Sequence, residues 1–92
     1  MSEFNSAKPI SILLIDDDED DYILTNDMLA DIKDFNYTLD WRNSFASGFE
    51  RIKDQEHDIC FVDYRLGESN GIELIKKAIK VGNSTPLILF TG

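Results

Sequence analysis

Two short apolar segments of this sequence each end abruptly on an aspartate, and this feature constrains the fold more than any other. Residues 10–15 (ISILLI) precede Asp16, and residues 59–62 (ICFV) precede Asp63. Apolar residues at nearly every position are typical of a strand that is covered on both faces, as in a parallel sheet. Because ligand-binding loops follow the carboxyl ends of such strands, the pattern predicts that the two aspartates lie in one crevice.

The remaining segments alternate between strand-like and helix-like patterns. Residues 37–42 (YTLDWR) alternate apolar and polar positions, which predicts a strand with one wetter face at a sheet edge. Residues 86–90 (PLILF) predict a fourth strand. A period near 3.6 residues predicts amphipathic helices over about 19–33, 45–53 with Ser44 as N-cap, and 71–81. Their predicted inward residues are Tyr22, Ile23, Met28, Leu29 and Ile32 in the first, Phe45, Phe49 and Ile52 in the second, and Ile72, Leu74, Ile75 and Ile79 in the third.

The order β-α-β-α-β-α-β predicts an α/β fold with a parallel sheet, right-handed crossovers and helices on both faces. The 92 residues are fewer than the ~100–150 of a typical domain, so a single core is expected. Residues 1–9 are predicted to form a flexible leader, and residues 10–92 the folded domain.

Composition narrows the function classes. The net charge of −9 argues against nucleic acid and anionic membrane as partners. No apolar run approaches the ~20 residues of a membrane span. The single cysteine, Cys60, cannot form an internal disulfide and lies in an apolar segment, which favours a packing role and a reducing compartment. A soluble cytoplasmic protein is therefore expected.

Three carboxylates, those of Asp16, Asp17 and Asp63, are predicted to converge if the first and third strands are neighbours in the sheet. Carboxylates about 4 Å apart repel by roughly 4 kcal/mol at an effective dielectric constant of about 20, so one takes up a proton or a cation lies among them. Few carboxylates with retained waters are typical of Mg²⁺, and such sites commonly serve phosphoryl groups. Thr91, after the last strand, would offer a hydroxyl to a phosphoryl oxygen. Residues 18–21 are interpreted as the solvated start of the first helix.

With these motifs in order, the sequence resembles the receiver domain of two-component response regulators. The family pattern begins with an apolar strand ending in paired acids, here residues 12–17 (ILLIDD). It continues with the phosphoacceptor motif D-x-R-L-x-x-x-x-G, here residues 63–71 (DYRLGESNG), and a strand ending in Thr or Ser, here residues 87–91 (LILFT). Each motif alone is weak, but the three together over residues 10–92 are specific.

The resemblance implies a flavodoxin-like doubly wound fold, a Mg²⁺ cofactor and a role for each matching residue. Asp63 is implied to be the phosphoacceptor and Thr91 the switch hydroxyl that moves toward the phosphoryl group. Asp17 is implied to be a direct Mg²⁺ ligand, Asp16 a ligand mainly through water, and Arg65 a ligand through its backbone carbonyl. The phosphodonor would be a histidine kinase or a phosphotransfer protein, and the domain would be a signalling switch that controls an output rather than an enzyme.

The sequence departs from the family pattern in two ways. Gly67 stands where many members have proline, which loosens the loop after Asp63. The family also continues with a fourth helix, a fifth strand bearing a site lysine, and a fifth helix, and these have no counterpart in the sequence. We therefore expect the first three-quarters of a receiver, with an exposed edge strand through which the 92-residue chain self-associates. That strand consists of Leu87, Ile88, Leu89 and Phe90.

Two other functions compete with this interpretation. A receiver-like interaction module that works without phosphorylation would explain the missing lysine. A haloacid-dehalogenase-type phosphatase would use Asp16 as its nucleophile, although Asp63 would then have no role. Outside the motifs, His57 is predicted to be a solvated loop residue and Trp41 a packing residue of an edge strand.

Overall fold

The computed structural model describes residues 9–90. Thr91, Gly92 and most of the predicted leader lie outside the described residues. The observed order is the predicted one, with an extra hairpin after the third strand. The elements are β1 (Ile10–Ile15), α1 (Glu19–Ala30), β2 (Tyr37–Arg42), α2 (Phe45–Lys53), β3 (Ile59–Asp63), β4 (Arg65–Leu66), β5 (Ser69–Asn70), α3 (Gly71–Lys80) and β6 (Leu87–Phe90).

The main sheet contains four parallel strands in the order β2-β1-β3-β6. This confirms the α/β prediction and places β2 at an edge, as its alternating pattern indicates. β1 lies in the middle of the sheet, and its last four residues are buried. In register, Ile15 lies beside both Arg42 and Val62, so the residues that follow β1 emerge between two neighbouring strands.

The hydrophobic core lies between one face of the sheet and the helices α2 and α3. Side chains alternate across a strand, so every second residue of β1 and β3 contributes to this core. On the opposite face, Ile12 and Leu14 are also buried. The buried members of the core are Leu13, Ile15, Ile52, Cys60, Val62, Leu66, Leu74 and Ala78, with Phe45, Phe49, Ile75 and Leu87 packed against them.

The helices begin at side chains that satisfy free backbone amides. Asp18 caps α1 by accepting from the amide of Asp20 at 2.9 Å. Ser44 caps α2, as predicted, with its hydroxyl oxygen 3.1 Å from the amide nitrogen of Ser47. No helix among residues 9–90 has the length and apolar character that a membrane crossing requires.

The predicted inward face of α1 is only partly observed, because Tyr22 and Leu29 are half-buried and the other three predicted residues are exposed. The helix ends at Ala30, and none of its residues is buried; Ile23 and Met28 are exposed, the latter by 61%. Ile32, which was expected on the same face, follows the helix and is exposed as well. The reason is that α1 contacts the edge strand β2 through polar and aromatic side chains. One such contact is the hydroxyl of Tyr37, which donates to Asn26 Oδ1 at 2.8 Å.

The predicted inward face of α3 is half right. Leu74 is buried and Ile75 is half-buried, but Ile72 and Ile79 are exposed, the latter by 65%. The two other buried positions of the helix are small residues, Gly71 and Ala78. A small residue permits close packing of the helix against the sheet, so the face that lies closest carries the least apolar volume. Hydrophobicity alone therefore identifies Leu74 and Ile75 but misses Gly71 and Ala78, the small buried residues of this helix.

Gly71 marks the closest approach of α3 to the sheet. A Cβ atom at this position would lie 2.5 Å from the carbonyl oxygen of Asp63 and 2.7 Å from Cδ1 of Leu89. Backbone cannot move out of the way as a flexible side-chain end can. This glycine is therefore required by the packing of α3 against the carboxyl end of β3.

Replacing Gly71 with alanine is expected to lower the free energy of unfolding by about 1–3 kcal/mol, because the added methyl overpacks the contact with β3. Helix propensity alone would favour alanine over glycine by about 1 kcal/mol, so the sign of the change tests the packing argument. Urea unfolding measures it. The control is Lys76→Ala on the exposed side of α3, with an expected change within about 0.5 kcal/mol. A more stable Gly71→Ala variant would refute the close contact.

Candidate functional site

The structure brings together the three acids that the sequence places after β1 and at the end of β3. Carboxylate oxygens of Asp16, Asp17 and Asp63 all lie within 4.8 Å of one another. They form what we call the carboxylate cluster. Because β1 and β3 are hydrogen-bonded neighbours, the carboxyl ends of both strands deliver their acids to the same point.

Asp16 lies at the bottom of the cluster with no exposed surface. Its Oδ1 accepts a hydrogen bond from the amide of Asp18 at 3.0 Å, whereas its Oδ2 is buried without a hydrogen-bond partner among the described residues. Burial raises the pKa of Asp16 to about 7; the Asp18 amide opposes this shift, and the negative charges of Asp63, Asp21 and Asp17 add to it.

Asp63 lies at the carboxyl end of β3 and is 7% exposed. Burial raises the pKa of Asp63, and the charges of Asp17 and Asp21 act in the same direction. Hydrogen bonds from the amides of Arg65 and Tyr64 act against the shift, because they stabilise the ionised carboxylate. The ionised Asp63 carboxylate thus accepts hydrogen bonds from two backbone amides but lies near the negative charges of Asp17 and Asp21.

Asp17 is the exposed member of the cluster and connects it to the β4–β5 hairpin. Its Oδ2 accepts a hydrogen bond from the amide of Gly67 at 2.9 Å. Gly67 has a φ of +63°, in the left-handed region that favours glycine, and so closes the turn between the two short strands. A proline here could not donate this hydrogen bond, so the departure of Gly67 from the family pattern creates a contact with the site.

A cleft of ≈ 630 Å³ opens beside the cluster. Asp17 and Asp63 line it, but Asp16 does not, because Asp16 is buried beneath them. A nucleophile must reach its substrate, so the position of Asp16 argues against the phosphatase hypothesis. The remaining lining residues are Asp18, Asp21, Tyr64, Arg65, Gly67, Ser69 and Asn70.

The structure tests some of the site residues predicted from the sequence and adds one that was not predicted. The three aspartates are brought together, and Arg65 lies on the cleft wall as the first residue of β4. Thr91 lies outside the described residues. The contribution of Gly67 was missed, because a hydrogen bond across 50 positions leaves no local pattern in the sequence.

Trp41 is a second residue whose contact with the site was missed. Its indole Nε1 donates to the carbonyl oxygen of Asp16 at 2.7 Å. Its ring stacks on that of Tyr22, with centroids 4.6 Å apart and planes inclined by 6°. The alternating pattern of β2 put Trp41 on the correct face, but only the structure reveals that its polar atom reaches the acidic turn.

The prediction for His57 is wrong. This residue is buried, with Nε2 3.0 Å from Oδ2 of Asp40. Burial acts to raise the pKa of Asp40, but hydrogen bonds from His57, Arg42 and Arg51 outweigh it and lower that pKa. The network ties β2 to α2 and to the segment before β3. None of its residues lines the cleft beside the carboxylate cluster.

The carboxylate cluster fits a hard divalent cation. Its donors are carboxylate oxygens, which Mg²⁺ prefers, and the buried Oδ2 of Asp16 lacks the hydrogen bond that a buried oxygen normally has. A cation among the three acids would remove their mutual repulsion and compensate that oxygen.

Comparison with known proteins gives a consistent picture. The family model described as response regulator receiver domain matches residues 12–92. Response regulator RppA of Synechocystis sp. is 29% identical over 83 residues, covering 88% of this chain and 34% of that protein. The alginate biosynthesis transcriptional regulatory protein AlgB of Pseudomonas putida is 33% identical over 64 residues, covering 70% of this chain and 14% of that protein.

A solved structure supports the same fold. The CheY-like receiver domain protein from Methanospirillum hungatei JF-1 superposes with a TM-score of 0.77 at 25% identity, covering 92% of this chain and 66% of that chain. The chain thus spans less than two thirds of the length of each of these proteins.

Without divalent cations, the free energy of unfolding is expected to fall as pH rises from about 4 to about 7, by roughly 1–4 kcal/mol. In this window the folded chain retains a proton on Asp16 that the unfolded chain has released, since the pKa is about 7 in the fold against 3.8. The raised pKa of Asp63 acts with the same sign. Urea unfolding in the presence of a chelator measures the slope.

The matched variants for this measurement are Asp16→Asn and Asp27→Asn. Asp16→Asn removes the main titrating group and is expected to flatten the slope, whereas Asp27 lies on the exposed side of α1 and its replacement should preserve it. An equally steep slope in Asp16→Asn would contradict the assignment to Asp16.

Proposed function

This chain belongs to the response regulator receiver domain family, and from that premise we propose that Asp63 accepts a phosphoryl group with the help of Mg²⁺. Phosphorylation on aspartate is general for the family. The proposal assigns the phosphoacceptor role to Asp63, and cation binding to the carboxylate cluster with the backbone carbonyl of Arg65. The proposed phosphodonor is a histidine kinase or a phosphotransfer protein.

The observation that carries the proposal is that Asp16, whose Oδ2 is buried without a hydrogen-bond partner among the described residues, belongs to a group of three acids with carboxylate oxygens within 4.8 Å of one another. A purely structural cluster would have its buried oxygens paired, because an unpaired buried acceptor costs about 1–3 kcal/mol. Asp16 lies beneath the cleft, so Asp17 and Asp63 are the acids of the cluster that meet incoming groups.

The roles of the other residues follow from their positions. Asp63 lines the cleft, so its oxygen can attack phosphorus in line with the leaving group. The Oδ–P bond forms as the N–P bond of the donor phosphohistidine breaks. Bound Mg²⁺ would neutralise the negative charge that accumulates on the phosphoryl oxygens. The Gly67 amide holds Asp17 at the edge of the cleft. Thr91 is proposed as the switch hydroxyl because it follows β6 directly.

Incubation with an acyl phosphate and Mg²⁺ is expected to label Asp63, and peptide mapping of the adduct identifies the residue. Asp63→Asn should abolish labelling, because the amide is not a nucleophile for phosphorus. Asp17→Asn should reduce labelling at least about tenfold, because a cation ligand is lost. Asp20→Asn is the matched control, since Asp20 belongs to the same acidic run but not to the cluster.

The possible results separate the competing functions. Label on Asp16, or full labelling of Asp63→Asn, would refute the assignment. Mg²⁺ binding without any label would favour the interaction module that works without phosphorylation. Equal labelling of wild type and Asp17→Asn would remove the cation from the proposal.

We also propose that a polypeptide of these 92 residues self-associates through β6. This strand is an edge of the sheet that the described residues form, and Ile88 at its centre is 42% exposed. An apolar edge strand offers unpaired N–H and C=O groups to a second copy. In sedimentation velocity, the sedimentation coefficient is expected to rise with concentration.

Ile88→Lys tests this contact, because a charge at an edge strand opposes pairing. The variant should sediment as a monomer, whereas Ile79→Lys, on the exposed side of α3, should still associate. A concentration-independent monomer in the unmodified polypeptide would exclude the proposal.

A further inference from the structure

Trp41 is the only residue of the described edge strand β2 whose side chain donates to the acidic turn after β1. The indole Nε1 lies 2.7 Å from the carbonyl oxygen of Asp16, a short distance for an N–H···O hydrogen bond. Neither the sequence motifs nor the family pattern gives this residue a role. It is not among the residues that line the cleft.

The hydrogen bond matters because of where it falls on the backbone. The amide of Asp16 donates to the carbonyl oxygen of Arg42 at 3.0 Å, so β2 already holds the N–H side of this residue. Trp41 holds its C=O side. With both backbone groups fixed, ψ of Asp16 is fixed, and with it the plane of the peptide bond that leads into Asp17. The direction in which Asp17 projects is therefore set from β2.

The indole is itself held in place by α1. Its ring lies flat on Tyr22, with centroids 4.6 Å apart, and Tyr22 belongs to the first turns of α1. The ring contact buries apolar surface of both side chains and restricts the orientation of the indole. The donor is thus fixed on one side by its own strand and on the other by the helix that follows the acidic turn.

We propose that Trp41 is a positioning residue for the carboxylate cluster, acting through the Asp16 carbonyl to aim Asp17 at the cation site. The inference takes the Mg²⁺ ion from the proposed function, but the role of Trp41 in holding the acidic turn also applies to the chain without metal. Two consequences are expected in the metal-free chain. The Trp41 indole proton is shielded from solvent, and the hydrogen bond from Gly67 to Asp17 depends on the Trp41 donor.

Trp41→Phe removes the donor and keeps an aromatic ring to stack on Tyr22. In this variant we expect faster solvent exchange of the Gly67 amide in the absence of metal. We also expect the dissociation constant for Mg²⁺ to rise about threefold to tenfold, the change that one lost hydrogen bond produces. Both are followed by amide resonances. The matched control is Tyr37→Phe, which removes a side-chain hydrogen bond from β2 to Asn26 of α1 instead of one to the acidic turn.

Circular dichroism establishes that each variant is folded, and wild type supplies a measurement that needs no variant. Slow solvent exchange of the Trp41 indole proton in wild type supports the proposal, and exchange at the rate of a free indole overturns it. Unchanged Gly67 exchange and unchanged Mg²⁺ affinity in Trp41→Phe would overturn it too, as would equal effects in Tyr37→Phe. If wild type binds no Mg²⁺, the proposed function fails, while the metal-free Gly67 measurement still decides the role of Trp41.

Discussion

The structure depends on one electrostatic constraint, the accumulation of three carboxylates where the central strand β1 and its neighbour β3 end. Asp16 has no exposed surface and one unpartnered oxygen, so its charge opposes the burial that the sheet imposes. Two remedies exist, a proton or a cation, and the pKa of about 7 for Asp16 makes the first available near neutrality. Without a proton or a cation, the three carboxylates repel one another and destabilise the fold, so a bound cation stabilises the site.

The surroundings of this cluster hold it mainly through backbone groups. The carbonyl of Arg42 and the indole of Trp41 fix the backbone of Asp16 from β2, and the Gly67 amide fixes the side chain of Asp17 from the hairpin. Gly71 lets α3 pack directly on the last residue of β3. Three separate segments, β2, the β4–β5 hairpin and α3, therefore converge on these acids and keep like charges close in spite of their repulsion.

The two sides of the sheet are built differently. Helices α2 and α3 enclose an apolar core, whereas α1 contacts the edge strand through a stacked ring pair and a tyrosine hydrogen bond. The predictions failed where packing depended on small or polar residues. Ile79 was expected inside because it is apolar, but it is exposed, and the neighbouring residue Ala78 is buried against the sheet instead. His57 was expected outside because its neighbours are polar, but it is buried and forms a hydrogen bond with the half-buried Asp40.

The sequence by itself determined the element order, the parallel sheet and the three clustered acids. It could do so because strand periodicity and the placement of Asp16 and Asp63 after apolar segments are local signals. Only the tertiary structure decided which helix faces are buried, that Asp16 lies beneath the cleft while Asp17 lines it, and that Trp41 and Gly67 hold the acidic turn. These contacts join residues 25 and 50 positions apart, and a hydrogen bond between distant segments depends on three-dimensional distance, which no local pattern encodes.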